Sequence, residues 1–293
     1  MENSRGSAYM ILAMAFFALE DMFIKAASSS VPAGEILIFF GIGGSIAFML
    51  MTLKRGEAIL HPAILTRAVL IRALSEIIGR LGFTLALVLT PLSSTSAILQ
   101  ATPLVVVMGA AIFFGEKVGW RRWSAILIGF IGVLMIIRPG LEGFQANSLL
   151  AVVGMLGFAG RDLATRAAPK VLSNVQLGVY GFLVLIPTGI GLLLYSGGAV
   201  IPDLLASGQI LGAIVFGVIA YYALTLAMRT GEISVVTPFR YTRLVFALLL
   251  GFLVFGERPD AMTLLGSAII VAGGIYTLLR NRQVRQATLN ANT

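Results

Sequence analysis

Ten apolar stretches of about 20 residues follow one another along this chain of 293 residues, and they constrain its fold more than any other feature. A helix needs about 20 mostly apolar residues to cross the hydrocarbon core of a bilayer. Because 58% of the residues are hydrophobic and only 12% are charged, a soluble fold of this length could not bury so much apolar surface. The sequence therefore predicts an all-α polytopic membrane protein with spans at Ser7 to Ala27, Pro32 to Leu53, Ala68 to Leu89, Ser93 to Phe114, Arg122 to Ile137, Ser148 to Ala168, Asn174 to Tyr195, Ser207 to Met228, Ile233 to Phe255 and Ala261 to Leu279.

The orientation of the spans follows from the basic residues. In a soluble protein the formal net charge of +8 would suggest nucleic-acid binding, but here the basic residues cluster in alternate loops, and such loops face the cytoplasm. We predict an inner-membrane protein with both termini cytoplasmic and no nucleic-acid partner. Glu20 and Asp21 fall where a signal peptide stays apolar, so the first span is predicted to be retained. The basic loops contain Arg5; Lys54, Arg55 and Arg67; Lys117, Arg121 and Arg122; Lys170; Arg229; and Arg280, Arg282 and Arg285.

The chain also matches itself in one ungapped register. Glu116 falls on Glu257, and 257 − 116 = 141; the same offset places Asp21 on Asp162. Five spans per copy is an odd number, so the second copy must enter the membrane inverted, as in many secondary transporters. The sequence predicts one five-helix unit at 1–141, an inverted one at 142–282 around a central cavity, and a polar cytoplasmic tail at 283–293.

Two stretches carry a resemblance to a known family. They run from Thr90 to Gly140, with the motif Phe114-Gly115-Glu116-Lys117, and from Val254 to Tyr276, with Phe255-Gly256-Glu257-Arg258. The chain resembles the EamA-type members of the drug/metabolite transporter superfamily over essentially its whole length. Within that superfamily it is most similar to YddG-type exporters of amino acids, aromatic ones included. The resemblance implies a basket of ten helices with a central cavity and no ATP-binding domain.

Charged side chains inside the spans indicate where a site lies, because a charge in the bilayer core is costly unless it faces a polar cavity or a partner. Lys25, Arg72 and Arg166 lie nearer the span ends, from which long side chains can reach the interface. The deep set has four acids and four bases: Glu20 and Asp21 in span one, Glu76 and Arg80 in span three, Arg161 and Asp162 in span six, and Arg240 and Arg243 in span nine.

Span three has a regular charge pattern. Arg72, Glu76 and Arg80 are spaced at i, i+4 and i+8, which predicts an ion-pair ladder on one helical face. The ladder either only fixes this helix or also serves the site. The residues at the repeat-equivalent positions are uncharged, which favours a functional role for Arg80.

Span six combines small residues with charges. Its glycines are expected to let another helix approach beside Arg161 and Asp162, and this adjacent pair is expected to point in different directions. Arg240 and Arg243 share a face of span nine and are the predicted partners of Asp162, forming one electrostatic unit. The glycines are Gly154, Gly157 and Gly160.

Prolines and two repeat-related glutamates mark other features of the spans. Pro103, Pro187 and Pro238 lie inside spans, where a proline removes a backbone donor and can kink the helix. Pro238 is either a hinge or a static kink. Glu116 and Glu257 lie at helix ends, where we expect helix capping or loop anchoring rather than substrate contact.

Neutral residues complete the predicted substrate-binding set. Aromatic rings and an amide would suit a cavity for apolar or aromatic side chains. They are Phe83, Gln100, Phe158, Tyr221 and Tyr222.

The balanced deep charges predict a carrier of small zwitterions, chiefly amino acids, that exports its substrate by alternating access. The alternative within transport is an exporter of cationic drugs, nucleosides or flavins, and flux without saturation would indicate a channel. An enzyme is not expected: the chain has no cysteine, and its single histidine, His61, lies in a polar loop. No cofactor or metal is predicted, membrane lipids are the expected surroundings, and the oligomeric state is left open.

Overall fold

The computed structural model describes residues 2–115, 119–138, 145–230, 237–273 and 275–276. These residues form helices and connections with no strand among them, so the prediction of an all-α fold is confirmed. The helices are α1 Glu2–Ala27, α2 Ala33–Lys54, α3 Arg67–Leu89, α4 Leu92–Leu99, α5 Thr102–Phe114, α6 Trp120–Ile137, α7 Ser148–Ala167, α8 Asn174–Leu183, α9 Leu185–Ser196, α10 Leu204–Thr230, α11 Thr242–Phe255 and α12 Ala261–Gly273.

The helix bounds follow the predicted spans closely. Within the described ranges, five segments are long and apolar enough to cross a membrane. The described parts of the other predicted spans are shorter or carry the charges discussed above, as in α1 and α3. The five segments are Ala33–Lys54, Leu92–Phe114, Ser148–Thr165, Asn174–Ser196 and Leu204–Leu224.

Two spans are interrupted where proline chemistry predicts. The ring of a proline clashes with the carbonyl four residues earlier, and the proline has no N–H to bond with it. Helix α4 ends at Leu99, four residues before Pro103, and α8 ends at Leu183, four residues before Pro187. These two kinks are confirmed. The described part of span nine begins with a 3₁₀ turn at Thr237–Tyr241; residues 231–236 lie outside the described ranges, so the proposed hinge at Pro238 stays a prediction.

The helices pack in the pairs that an internal two-fold relation requires. Helix α1 packs against α10, and α3 packs against α7; shifting by the 141-residue offset exchanges these two pairs. Span two packs against span seven, and span four against span nine, so each of these pairs maps onto itself. The predicted boundary at residue 141 and the tail at 283–293 both lie outside the described ranges.

Glycines set the distance between α3 and α7. A Cβ atom on Gly157 would lie 2.2 Å from the backbone nitrogen of Gly79, and one on Gly154 would lie 2.7 Å from the backbone nitrogen of Phe83. Gly160 faces Ser75 in the same row. The predicted packing role of the span-six glycines is therefore confirmed, and it brings the charged residues of α3 and α7 together.

Replacing Gly157 with Ala is expected to destabilise the folded protein by about 1–3 kcal/mol, because the added methyl group would collide with the backbone of Gly79. The measurement is thermal unfolding of purified protein in detergent. Gly191→Ala is the matched control, because a Cβ atom there meets nothing within 4 Å. Equal melting temperatures for the two variants would show that the α3–α7 contact tolerates separation.

Glu257 confirms the predicted capping role. Its carboxylate accepts hydrogen bonds from the backbone N–H groups of Leu92 at 2.6 Å and Ser93 at 2.9 Å, and from the Ser93 hydroxyl at 2.7 Å. It therefore caps the N-terminus of α4, where orphan N–H groups and the helix dipole favour an anion. Its repeat mate, Glu116, lies outside the described residues.

Candidate substrate-binding site

A central cavity that is partly open to solvent lies between the helices. Among the predicted site residues, all but Asp21 and Tyr222 line it. Tyr222 adjoins Tyr221 on α10, but only Tyr221 lines the cavity. The lining residues from the predicted set are Glu20, Glu76, Arg80, Phe83, Gln100, Phe158, Arg161, Asp162, Tyr221, Arg240 and Arg243.

Glu20 ties α1 to α3 at the wall of the cavity. Its Oε1 accepts a hydrogen bond from Arg80 Nη1 at 2.7 Å, and the Glu20 side chain is only 1% exposed. The guanidinium of Arg80 also lies 5.0 Å from the ring centroid of Phe40 and 5.9 Å from that of Phe158. Cation–π contact and an ion pair thus hold Arg80 in one place.

Asp21 ties α1 to span nine. Its Oδ2 accepts two hydrogen bonds from Arg243, at 2.6 Å from Nη2 and 3.2 Å from Nε. Arg243 lies between the rings of Phe17 and Phe83, at 5.0 and 5.6 Å from their centroids. The prediction that Arg243 is a partner of Asp162 is therefore wrong.

Asp162 is shared by two arginines. Its Oδ1 accepts hydrogen bonds from Arg161, including one of 2.8 Å from Nη2, and its Oδ2 lies 3.8 Å from Arg240 Nη2. The predicted Asp162–Arg240 pairing is thus present, though loose. The expectation that Arg161 and Asp162 point apart is wrong, because the long Arg161 side chain bends back onto the neighbouring carboxylate. Arg161 also lies 3.6 Å from Glu76 Oε1 on α3.

The predicted ladder in span three does not form. Arg80 binds Glu20, Glu76 lies nearest to Arg161, and Arg72 donates to the hydroxyls of Thr165 at 3.0 Å and Tyr221 at 3.4 Å. Each of these residues thus contacts another helix, α1, α7 or α10, instead of its neighbour along α3. The expectation that Arg72 reaches the interface is also wrong, since it is 2% exposed and packs among α3, α7 and α10.

Gln100 joins the two repeats at their axis. Its side-chain amide donates to the backbone carbonyls of Arg240 at 3.2 Å and Tyr241 at 3.3 Å. Since 241 − 100 = 141, Gln100 and Tyr241 are repeat mates that contact each other. The break between α4 and α5 and the 3₁₀ turn of span nine therefore meet beside the cavity.

Sequence reasoning missed several apolar lining residues. Phe17 and Phe182 line the cavity with Met14, Leu99 and Leu224. Phe182 stacks edge-on with Tyr221 at 6.2 Å, and Phe83 does so with Phe158 at 5.8 Å. The match of Phe17 with Phe158 in the repeat register was a usable signal, because the mate of a lining residue is a candidate for the equivalent wall. Among the described residues, no group of three or more His, Cys, Asp or Glu could hold a metal ion.

Comparison with known proteins gives a family and several relatives. The family model described as "EamA-like transporter family" matches residues 4–138 and 146–279, once for each half of the chain. A riboflavin transporter of Rhizobium johnstonii is 29% identical over 96% of this chain and 93% of its own length. The pseudopaline exporter CntI of Pseudomonas aeruginosa is 27% identical over 92% of this chain and 94% of its own length.

Two further comparisons are more distant. An S-adenosylmethionine uptake transporter of Rickettsia bellii is 22% identical over 96% of this chain and 95% of its own length. A crystal structure matches 93% of this chain and 98% of the other chain with a TM-score of 0.63 at 16% sequence identity, a likeness that shows the fold alone. None of these relatives is named as an amino-acid exporter, so a placement nearest to YddG-type exporters gains no support from them.

Proposed function

The chain belongs to the EamA-like transporter family, a polytopic membrane fold with two repeats, and on that premise we propose that it carries a flavin or a similar planar-ring metabolite through the central cavity. The observation that carries this proposal is the stacking of cavity arginines on aromatic rings. Arg161 lies 4.8 Å from the centroid of Phe158, and Arg243 lies between Phe17 and Phe83. Guanidinium planes and aromatic rings both stack on a planar heterocycle.

The lining of the cavity agrees with such a ligand. Pockets for small molecules combine apolar and aromatic walls with a few polar groups. Here aromatic rings and other apolar side chains line the cavity together with four arginines and three carboxylates. A tricyclic ring with a polar chain would reach both the aromatic wall and the charged residues.

Flavins therefore have better support than the predicted amino acids. The three relatives described above are named for riboflavin, pseudopaline and S-adenosylmethionine, and none of the three is named for an amino acid. A cation such as S-adenosylmethionine would meet four lining arginines and only three lining carboxylates, which disfavours it electrostatically. The alternative of flavins and nucleosides becomes the main proposal, with alternating access between inverted repeats as the transport step.

Riboflavin is expected to support saturable counterflow by the purified protein in liposomes preloaded with unlabelled riboflavin. Riboflavin and its ring analogue lumichrome should compete, whereas phenylalanine and S-adenosylmethionine should compete weakly. Phe158→Leu should weaken riboflavin affinity roughly tenfold, in line with about 1–3 kcal/mol per base–aromatic stack. Phe39→Leu is the matched control, because that ring is exposed on α2 away from the cavity. Stronger competition by phenylalanine than by riboflavin would overturn the proposal.

The orientation in the inner membrane is a proposal of its own. Both termini are expected in the cytoplasm, because basic loops alternate along the chain. Reporter fusions at the C-terminus and within the loop from Ser196 to Ala206 test this. A periplasmic C-terminus, or a cytoplasmic loop at that position, would contradict it.

A further inference from the structure

The cavity and the layer behind it carry unequal charge. Among the described residues, five guanidinium groups face four carboxylates: Arg72, Arg80, Arg161, Arg240 and Arg243 against Glu20, Asp21, Glu76 and Asp162. Burying one unmatched charge in a membrane interior is costly. An anionic ligand would remove this excess.

Arg72 is one source of the imbalance. It is 2% exposed, yet its hydrogen-bond partners are the neutral hydroxyls of Thr165 and Tyr221. No carboxylate of the described residues lies within ion-pair distance of it. Because Tyr221 lines the cavity, this charge stands one layer behind the wall, where it raises the electrostatic potential of the site.

Arg240 is the cavity arginine best placed to bind such a ligand. Arg80, Arg161 and Arg243 each donate a hydrogen bond of 2.6–2.8 Å to a carboxylate. Among the residues that the structure describes, the guanidinium of Arg240 has no hydrogen-bond partner; the nearest described carboxylate oxygen, on Asp162, is 3.8 Å away, and the Arg240 side chain is 27% exposed. Its donors are therefore available to solute.

We propose that Arg240 binds an anionic group of the substrate, a carboxylate or a phosphate, so that the site binds anionic flavins more tightly than neutral ones. For the planar ring of the ligand, this inference rests on the proposed function. A guanidinium presents paired donors that match either anion in bidentate geometry. Binding would also loosen the Asp162–Arg240 contact, because the ligand would compete with Asp162 for the same donors.

Matched flavin pairs test this proposal. Riboflavin and riboflavin 5′-phosphate differ by a phosphate, and lumiflavin and 10-carboxymethylflavin differ by a carboxylate. In purified protein, quenching of flavin fluorescence should show tighter binding of at least one anionic member. Arg240→Gln should reduce that preference by at least about tenfold, equivalent to 1.4 kcal/mol, and should change binding of the neutral members little. Arg240→Lys should restore part of it.

The outcomes separate this inference from the proposed function. Arg67→Gln removes an exposed arginine at the start of α3 and serves as the control. If neutral flavins bind as well as the anions and Arg240→Gln changes nothing, the anion inference fails while flavin transport stands. If no flavin binds but a carboxylate-bearing aromatic does so in an Arg240-dependent way, the flavin proposal fails and the anion inference stands. The stronger of the two pairs identifies phosphate or carboxylate.

A second inference comes from contacts at the N-terminal end of α4, between the central cavity and the loop that follows α11. Besides the Glu257 cap, Lys25 Nζ donates to the carbonyls of Leu87 at 3.0 Å and Thr90 at 2.5 Å. The hydroxyls of Thr90 and Thr95 bond at 2.6 Å. These contacts join the ends of α1, α3 and α4 to the loop after α11, with buried side chains between them.

These contacts form a seal at this end of the cavity, and an ion pair between loop residues reinforces it. Arg138, at the end of α6, forms an ion pair with Asp260 before α12. The hydrogen bond from Arg138, supported by the backbone N–H of Thr263, lowers the pKa of Asp260 to about 2. Asp260 is therefore ionised at any physiological pH, and the ion pair persists as the pH varies. A polar pocket that includes Ser93, Glu257 and Asp260 lies on the outer side of the seal, separate from the central cavity.

The geometry points to Glu257 as a latch that holds the predicted periplasmic end of the cavity closed. Inverted repeats exchange their conformations when the open side changes. Opening the periplasmic end would therefore release Glu257 from the N-terminus of α4.

Cysteine labelling tests the latch without background, because the chain has no cysteine. Thr102→Cys places a thiol in the cavity wall, and a membrane-impermeant maleimide is applied from the periplasmic side. Adding Glu257→Gln should raise the labelling rate several-fold, and Ser93→Ala should raise it less.

Glu35→Gln is the matched control. Glu35 lies on the same predicted side and accepts a hydrogen bond from the backbone N–H of Val200 at 3.1 Å, away from α4. If Glu257→Gln and Glu35→Gln give the same rate as the Thr102→Cys parent, the latch is wrong. Thermal unfolding in detergent confirms that each variant is folded.

Discussion

Replacing Arg243 with Gln is expected to destabilise the folded protein by about 3–5 kcal/mol, the usual cost of leaving one partner of a buried ion pair behind. Asp21 is fully buried, its Oδ2 depends on two hydrogen bonds from Arg243, and its Oδ1 has no hydrogen-bond partner among the described residues. Without the guanidinium, its charge would face the cluster uncompensated. Thermal unfolding in detergent measures the loss.

The double variant Asp21→Asn with Arg243→Gln should recover most of that stability, because it removes both charges together. Arg138→Gln is the control: its ion pair with Asp260 is half-exposed, and such pairs contribute about 0–1 kcal/mol. If Arg243→Gln costs no more than Arg138→Gln, then water or other groups compensate Asp21, and the pair does not hold α1 to span nine.

How far the fold follows from sequence is clear from the spans and their interruptions. Hydropathy defined the spans to within a few residues, because the bilayer fixes how many apolar residues a helix needs. The kinks at Leu99 and Leu183 followed from Pro103 and Pro187, because that clash is local. The packing of α7 on α3 was also predictable, since glycines at close spacing permit close approach of helices.

Which carboxylate pairs with which arginine in the cavity was less predictable, because the pairing depends on how helices from both repeats are rotated relative to one another. Asp21 and Asp162 are repeat mates, and both contact arginines of span nine. The equivalent positions in span four are Leu99 and Thr102, which carry no charge. Residue spacing indicated that the charged side chains lie close together, but not that Asp21 forms its ion pair with Arg243. The depth of Arg72 was misjudged because distance from a helix end does not report packing against α7 and α10.

Asp162 is expected to couple to Arg240 and not to Arg243. Asp162→Asn should lower transport, because it leaves Arg240 without a nearby carboxylate and Arg161 with Glu76 alone at 3.6 Å. In thermal unfolding, combining Asp162→Asn with Arg240→Gln should give a loss smaller than the sum of the single losses. Neighbouring charges typically show interaction energies of about 0.5–3 kcal/mol, and the 3.8 Å separation favours the lower part of that range.

The double-mutant cycle of Asp162 with Arg243 is expected to give the opposite result. The losses of stability caused by Asp162→Asn and Arg243→Gln should be additive within about 0.5 kcal/mol, because Arg243 donates its two hydrogen bonds to Asp21. Transport in liposomes at equal protein levels is measured beside stability, since Arg240 is also the proposed substrate ligand. Strong coupling of Asp162 to Arg243 would mean that the arginines exchange carboxylates during the transport cycle. Additivity in both cycles would leave Asp162 bound to Arg161 alone.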